Sequence, residues 1–205
     1  MSLWEHAIST TEEVWAYLNP TQDDRDLYEV QMEGWVNGAS QALERLLNRP
    51  IKLREFDVYQ SGNGRRTLVT DYYPLVEVTT VEVSTNDRNQ VYTISVDPDD
   101  RELAINYRDG KLTILPQSRS IGRWFHGAEN VHLVYTAGFT GFELESFKRG
   151  VEEWCEILWR EKGKSPRVQQ ENESLGNAYF SGRFDPRRLS FELQQLVYMY
   201  KATDL

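Results

Sequence analysis

The spacing of hydrophobic residues changes twice along the chain, and the two changes divide it into helical and extended segments. Between residues 21 and 48 the apolar positions recur at steps of four and three, which is the period of an amphipathic α-helix. They are Tyr28, Met32, Trp35, Ala39, Leu43 and Leu46. A shorter helix is predicted before it, beginning at Thr10 and Glu13, which have capping-box spacing. Residues 1–50 are therefore expected to form a pair of helices.

From about residue 51 the period shortens to two, the alternation expected of half-buried strands. β-Branched and aromatic residues alternate with polar ones as far as residue 137, and turn signals separate the runs. The dipeptide Asp109-Gly110 between two such runs is a good hairpin signature. We expect an antiparallel β region of six or seven short strands over residues 51–137.

The helical period returns after residue 137. Over residues 138–163 one long helix is predicted by the apolar positions Leu144, Phe147, Val151, Trp154 or Cys155, and Leu158. Residues 164–184 are polar and aperiodic, so we expect an extended arm there. Asp185 and Pro186 have the pattern of an N-cap followed by proline, which predicts a last short helix.

Together these segments predict an α+β fold. The N-terminal helix pair and the long later helix form a helical bundle, with the antiparallel β region inserted and a C-terminal arm ending in a short helix. The expected boundaries are 1–50 for the first helices, 51–137 for the β region, 138–163 for the long helix and 164–205 for the arm and last helix.

The formal net charge of −9, from 32 acidic and 23 basic residues, bears on function more than on fold. Binding nucleic acid by neutralising phosphates needs a basic face, so the overall charge argues against it, although a local basic patch is not excluded. The single cysteine, Cys155, excludes an internal disulfide. We see no signal peptide and no stretch apolar enough to cross a bilayer, so we expect a cytoplasmic origin and no membrane partner.

The segment VYTAGFTG (134–141) has the layout of a phosphate cradle, with a strand, glycines and a helix start. It lacks the Lys-Ser/Thr pair of a P-loop and the three spaced glycines of a dinucleotide fold. Glu143 and Glu145 in the first helical turn would repel a phosphate, and Thr140 has capping-box spacing to Glu143. We interpret the segment as a connection, in which Gly138 supplies a backbone geometry forbidden to other residues.

No other motif indicates catalysis, and none indicates a cofactor. The run DPDDRE (97–102) has Arg101 and Glu102 where a calcium loop needs an acidic or amide residue and a glycine, so we interpret it as a solvated hairpin turn. The three histidines have no metal-binding spacing. Cys155 lies on or beside the apolar face of a helix, where an inert buried thiol is expected. We predict no catalytic residue, metal site or cofactor.

The last helix leaves two alternatives open. One of its faces carries Leu189, Leu193, Leu196, Val197 and Tyr200. This face can fold back onto its own domain, or it can lie in a groove on another subunit, which the polar arm before it has the length to reach.

Four segments follow one another in a characteristic order. They are LERLLNR (43–49), YQSGNGRRTLVTDYYPLVEVTTVEV (59–83), VHLVYTAGF (131–139) and NESLGNAYFSG (172–182). Their order and spacing resemble those of the head-to-tail connector, or adaptor, proteins of tailed bacteriophages, over roughly residues 10–200. Leu75 is a departure, because valine is commoner after the proline of this pattern.

The resemblance implies a non-enzymatic ring with the portal's usual twelvefold symmetry and a central DNA channel, assembled in the host cytoplasm and located in the virion neck. The implied partners are the portal protein, neighbouring copies of the chain and the next neck or tail-completion protein. DNA would pass an acidic channel wall without sequence-specific binding. The implied portal or neighbour contacts are Leu175, Gly176, Tyr179, Phe180, Leu189, Leu193, Leu196, Val197 and Tyr200.

A binding module is the alternative function. It would use exposed aromatic residues of the β region, such as Tyr72, Tyr73 and Trp124, to hold a glycan or a host factor. An enzyme of unrecognised type ranks lowest, because no acid–base or metal constellation is visible, although catalytic residues can converge only in the fold.

Overall fold

The computed structural model describes residues 3–85, 90–161 and 186–201. Contacts between residues divide the chain into two units. The helical unit comprises Met1–Lys52 together with Thr140–Leu205, and the β unit comprises Leu53–Phe139. The β unit is thus inserted between helices, and the chain has the α+β class that the hydrophobic periodicity predicts.

The helical unit contains four α-helices among its described residues. They are α1 (Thr11–Leu18), α2 (Gln22–Leu47), α3 (Gly141–Glu161) and α4 (Phe191–Tyr200), with a 3-10 turn at Pro186–Arg188 ahead of α4. A bilayer needs about 20 predominantly apolar residues in one helix. No helix in the described part of the chain is long and apolar enough to meet that requirement.

The first two helices have the predicted caps. Thr10 Oγ1 accepts the backbone N–H of Glu13 at 3.2 Å, and Glu13 Oε2 accepts that of Thr10 at 2.8 Å, which completes a capping box. Thr21 caps α2 by accepting the N–H of Asp24 at 3.3 Å. Asn48 ends α2 in the left-handed conformation, at φ 53°. Short-range sequence signals therefore define both ends of α2.

The buried face of α2 is centred differently from the predicted stripe. Its fully buried residues are Met32, Gly34, Val36, Ala39, Ser40, Leu43 and Leu47. Trp35 and Leu46, which the periodicity places on this face, are half-buried and flank it. A helical period locates a face only to within about one 100° step between residues, and the packing partners decide where its centre lies.

Aromatic residues fix the first three helices against one another. Trp159 of α3 packs edge-on against Trp15 of α1 and Tyr28 of α2, with ring centroids 5.4 Å apart in each pair. The indole N–H of Trp15 donates to Glu29 Oε2 at 2.6 Å, so this buried ring also has its polar group satisfied. These contacts make the helix pair and the later helix one bundle, as predicted.

The β unit contains seven strands among its described residues. They are β1 (Arg54–Gly62), β2 (Thr67–Val69), β3 (Leu75–Ser84), β4 (Val91–Thr93), β5 (Leu103–Asn106), β6 (Lys111–Ile114) and β7 (Gly127–Ala137). One antiparallel sheet has the order β1-β7-β3-β4, and a second has the order β2-β6-β5. The two sheets share one hydrophobic core, to which β7 contributes the alternate residues Val131, Leu133 and Tyr135.

The turn signals differ in what they connect. Asp109-Gly110 closes the predicted hairpin, since β5 pairs with β6 and Gly110 has φ +64°. The run DPDD (97–100), interpreted as a hairpin turn, instead forms a 3-10 turn that leads from β4 in one sheet to β5 in the other. A local turn signal predicts a change of direction, while the pairing of the flanking strands depends on partners distant in sequence.

Candidate interaction surfaces

Helix α4 packs along α3 within the helical unit. The predicted contact residues Leu189, Leu193, Leu196 and Val197 are buried there, and Tyr200 is half-buried. Leu189 lies just ahead of α4, and the other four lie on the face of α4 that turns towards its own chain, which is the first of the two alternatives that the residue pattern leaves open. The burial of four aliphatic side chains explains why α4 stays attached to the bundle.

Polar contacts at both ends of α4 set its direction. The backbone N–H of Ser190 donates to Glu153 Oε2 at 2.9 Å, and the hydroxyl of Tyr200 donates to Glu143 Oε1 at 3.2 Å. Because the later residue of α4 meets the earlier residue of α3, the two helices run antiparallel. The carboxylate of Glu143, which argued against a phosphate at this helix start, is thus engaged by the protein itself.

Helices α3 and α4 approach closely at Gly150. A Cβ on Gly150 would come within 2.3 Å of Leu193 Cδ2, so Leu193 occupies the space that a larger residue would need. Nearby, the guanidinium carbon of Arg188 lies 5.8 Å from the ring centroid of Trp154. Gly150 therefore allows α4 to pack closely on α3, and the cation–π contact of Arg188 with Trp154 adds to this packing.

The opposite face of α4 is exposed and carries three large apolar side chains beside the polar Gln195. Phe191, Tyr198 and Met199 are 72%, 81% and 65% exposed. At 3.6 residues per turn these positions lie within about 100° of one another, so they form one stripe, which we call the outer stripe of α4. Large apolar side chains clustered on an exposed face mark a candidate interaction surface.

The remaining predicted contacts lie elsewhere. Leu175, Gly176, Tyr179 and Phe180 fall outside the described residues, as does Asp185, the expected cap of the last helix. Within the described part, α4 begins at Phe191 and not at Pro186, where the sequence pattern placed its start. The 3-10 turn and the hydrogen bond from Ser190 to α3 occupy the intervening residues, so a tertiary contact outweighs the local signal at this helix start.

One of the three aromatic residues expected to form a binding surface on the β unit is buried in the core. Trp124 is fully buried, and its indole N–H donates to the carbonyl oxygen of Leu112 at 3.3 Å, so the prediction that it is exposed is wrong. Its loop folds over the core because the large ring gains most by burial. Tyr72 is exposed but stacks on Phe56 with ring centroids 4.4 Å apart, and Tyr73 is half-buried.

A polar cluster that the sequence did not indicate lies on the exposed face of the four-stranded sheet. His132 Nε2 is 2.8 Å from Asp57 Oδ1, and its Nδ1 is 3.2 Å from Glu82 Oε2. Tyr59 stacks on the imidazole, with the two ring centroids 4.6 Å apart. Partial burial lowers the pKa of His132, but its hydrogen bonds to the two carboxylates outweigh that effect, so the pKa lies above its ordinary value. The four residues come from three strands, which explains why no local motif reveals them.

The remaining candidate groups are the Cys155 thiol and the side chains able to bind a metal ion. Burial, reinforced by the charge of Glu152, raises the pKa of the Cys155 thiol, which disfavours the reactive thiolate. No group of three or more His, Cys, Asp or Glu side chains in residues 3–85, 90–161 and 186–201 is placed to hold a metal ion. Gly138 has φ +137°, as predicted for the connection before α3, so only a glycine suits that position without strain.

Comparisons with known proteins identify a shared fold. No protein-family model matches the sequence, and no curated protein matches it either. Chains of similar structure occur in the neck of an empty gene transfer agent particle computed with sixfold symmetry (TM-score 0.55, 100% of this chain and 95% of that one) and in the virion of the native particle (0.54, 100% and 94%). Another occurs in the neck of the native particle computed with twelvefold symmetry (0.52, 100% and 97%). Sequence identity is 11% in each case.

Proposed function

We propose that this protein is a structural, non-enzymatic component of a virion neck. It is a head-to-tail adaptor that forms a ring below the portal, extends the DNA channel and provides the platform for neck or tail attachment. The observation that carries the proposal is the fold it shares, over the whole chain, with chains of gene transfer agent necks and virions. The order of sequence segments that resembles phage connector proteins supports the same function.

The outer stripe of α4 is the surface that we assign to the neighbouring copy in the ring. A ring needs a heterologous interface, in which two different patches of the same chain meet. Leu27 and Val30 of α2 form a second exposed apolar patch, three positions apart on one helical face. The α4 stripe of one copy and the α2 patch of the next have the matching apolar character that such an interface requires.

The predicted contact residues then have two roles. Leu189, Leu193, Leu196, Val197 and Tyr200 hold α4 on the bundle, so that its outer stripe is presented in a defined position. The arm residues Leu175, Gly176, Tyr179 and Phe180 are proposed to engage the portal. The opposite end of the ring receives the next neck or tail-completion protein.

The acidic composition fits a channel through which DNA moves. A net charge of −9 on each copy is multiplied around a ring, and a negative wall repels phosphates and keeps DNA from binding tightly. DNA therefore passes without sequence-specific recognition. The particle assembles in the host cytoplasm, and the protein ends in the neck of the virion.

Light scattering and negative-stain imaging of the full chain, alone at high concentration and mixed with the portal, test this function. We expect rings alone or on the portal. A chain that stays monomeric and never attaches to the portal would contradict the adaptor function.

The assigned interface needs a separate comparison. Phe191→Ser with Tyr198→Ser should abolish ring formation while circular dichroism shows an unchanged helix content. Val69→Ser with Tyr107→Ser is the matched control, since both residues are exposed apolar residues of the β unit. If the α4 variant assembles as well as the control, the interface is wrong while the adaptor function stands.

A further inference from the structure

Two loops meet at one end of the four-stranded sheet. Residues 63–66 follow β1, and residues 122–126 precede β7. Gly62 of β1 lies opposite Gly127 of β7 in the antiparallel register, so both loops leave the same end of the sheet. The backbone N–H of Trp124 donates to the carbonyl oxygen of Arg65 at 2.9 Å, which joins the two loops directly.

These two loops are basic, although the chain as a whole is acidic. Residues 63–66 and 122–126 contain no aspartate or glutamate and three arginines. Arg65, Arg66 and Arg123 lie on the two joined loops, where their side chains are exposed, and we call these three residues the basic loop end. Glu129, which follows it in β7, is also exposed.

Hydrogen bonds with two asparagines fix the backbone of the loops that carry these arginines. Asn63 Oδ1 accepts the backbone N–H of Arg65 at 2.9 Å, and the Asn63 amide donates to the carbonyl oxygen of Thr67 at 2.9 Å. The N–H of Gly62 donates to the buried Asn130 Oδ1 at 2.8 Å. A Cβ on Gly62 would lie 1.8 Å from the carbonyl oxygen of Phe125, so the two loops touch through bare backbone. The guanidinium groups therefore extend from a preorganised platform.

The arginines are not used by the described part of the protein. No hydrogen bond or ion pair joins the side chain of Arg65, Arg66 or Arg123 to another described residue. Three unpaired guanidinium groups on adjoining loops form a concentrated positive charge, and a guanidinium presents paired N–H donors that match phosphate oxygens.

The composition of these loops favours a phosphate backbone over an acidic protein as the partner. Protein interfaces depend on apolar anchors at their centre, and the large apolar residues of the second loop are turned inward, with Trp124 fully buried and Phe125 half-buried. Contacts to a nucleic-acid backbone are made by arginine and polar groups without such anchors.

We propose that the basic loop end contacts the phosphodiester backbone of duplex DNA. This inference rests on the proposed adaptor function, in which DNA passes through a ring, and adds a belt of arginines to an otherwise repelling wall. Three contacts per copy, spaced around the ring, would centre the duplex, and the surrounding negative charge would keep each contact short-lived.

The test is fluorescence anisotropy of a labelled duplex of arbitrary sequence, titrated with the full chain at several salt concentrations. Each phosphate contact contributes about 0.9 to the slope of log K against log salt, so the variant with Arg65→Gln, Arg66→Gln and Arg123→Gln should lower the slope magnitude by about 3 and weaken binding. The matched control, with Arg101→Gln, Arg108→Gln and Arg149→Gln, removes the same charge from exposed positions elsewhere.

Each outcome decides the proposal. Equal losses in the two variants, undetectable binding by the wild-type chain at low salt, or binding of polyglutamate in place of DNA would overturn it. Imaging the same samples separates this inference from the adaptor function: rings without arginine-dependent DNA binding reject only the basic loop end. Arginine-dependent DNA binding by a chain that neither forms rings nor attaches to the portal rejects only the adaptor function.

Discussion

Gly150 of α3 lies beneath Leu193 of α4, so close that a Cβ on Gly150 would come within 2.3 Å of Leu193 Cδ2. Glycine is otherwise a poor residue for a helix interior, where it costs about 1 kcal/mol relative to alanine. Its presence within the 21-residue helix α3 is explained by the need to let α4 pack closely.

The first prediction concerns this contact. Gly150→Ala should destabilise the docking of α4, because overpacking costs about 1–3 kcal/mol and exceeds the gain in helix propensity. Amide hydrogen exchange should become faster in α4 than in the wild-type chain. Leu193→Ala should weaken docking by itself, but its loss and that of Gly150→Ala should be less than additive in the double variant, since Leu193→Ala removes the clashing methyl groups. Gly122→Ala is the control, because a Cβ at Gly122 meets nothing within 4 Å. Unchanged exchange in α4 of the Gly150 variant would refute the close contact.

The second prediction separates a core role of Trp124 from a binding role. Trp124→Ala should lower the free energy of unfolding of the β unit by about 3–5 kcal/mol, since it leaves a large cavity in the core. Tyr59→Ala, at an exposed aromatic of the same unit, should cost far less. Urea denaturation followed by circular dichroism measures both. A small loss at Trp124 with reduced glycan binding would favour the aromatic binding module instead.

The third prediction concerns the pH dependence of the His132 cluster. Its folded pKa lies above the ordinary value of 6.5, so the protonated form is stabilised by folding. That stability is fully present below the unfolded pKa and is lost as the pH rises through the folded pKa. The difference in free energy of unfolding between the wild-type chain and His132→Gln should therefore shrink as the pH rises from about 6 to about 9. His126→Gln, at an exposed histidine, is the control. A pH-independent difference would contradict the prediction.

The fourth prediction concerns the buried carboxylate of Glu102. It accepts the backbone N–H groups of Ser95 and Arg119, both at 3.1 Å, and the hydroxyl of Ser120 at 3.0 Å. Burial raises the pKa of Glu102, but these hydrogen bonds outweigh it and hold the pKa below its ordinary value. Glu102→Ala should lower the free energy of unfolding at neutral pH by about 1–3 kcal/mol, because it leaves buried donors unpaired.

The lowered pKa of Glu102 also predicts how the free energy of unfolding changes at acid pH. A lowered pKa gives stability that is present above the unfolded pKa and is lost as the pH falls through the folded pKa. Wild-type stability should therefore decrease more steeply than that of Glu102→Ala below about pH 4.5, the ordinary value for this carboxyl group. Glu55→Ala, at an exposed glutamate, should leave the profile close to that of the wild-type chain. Parallel acid profiles for the wild-type chain and Glu102→Ala would argue against the proposed hydrogen-bond network.

Features that depend on neighbours a few residues away follow from the amino-acid sequence alone. The capping of α1 by Thr10 and of α2 by Thr21, the Asp109-Gly110 hairpin and the positive φ of Gly138 all follow from local backbone chemistry. Hydrophobic periodicity was enough for the α+β class, because each period matches one kind of backbone geometry.

Which faces and strands meet depends on the packing of the whole fold. The burial of Trp124, the His132 cluster drawn from three strands, and the passage of DPDD between two sheets depend on partners far away in sequence. The same holds for α4: the sequence leaves open whether its Leu193 face packs on its own domain or on another subunit, and in the structure this face packs on the bundle at Gly150. Local propensity acts over a few residues, whereas burial is shared among all the elements that pack together, so the sequence pattern alone cannot assign it.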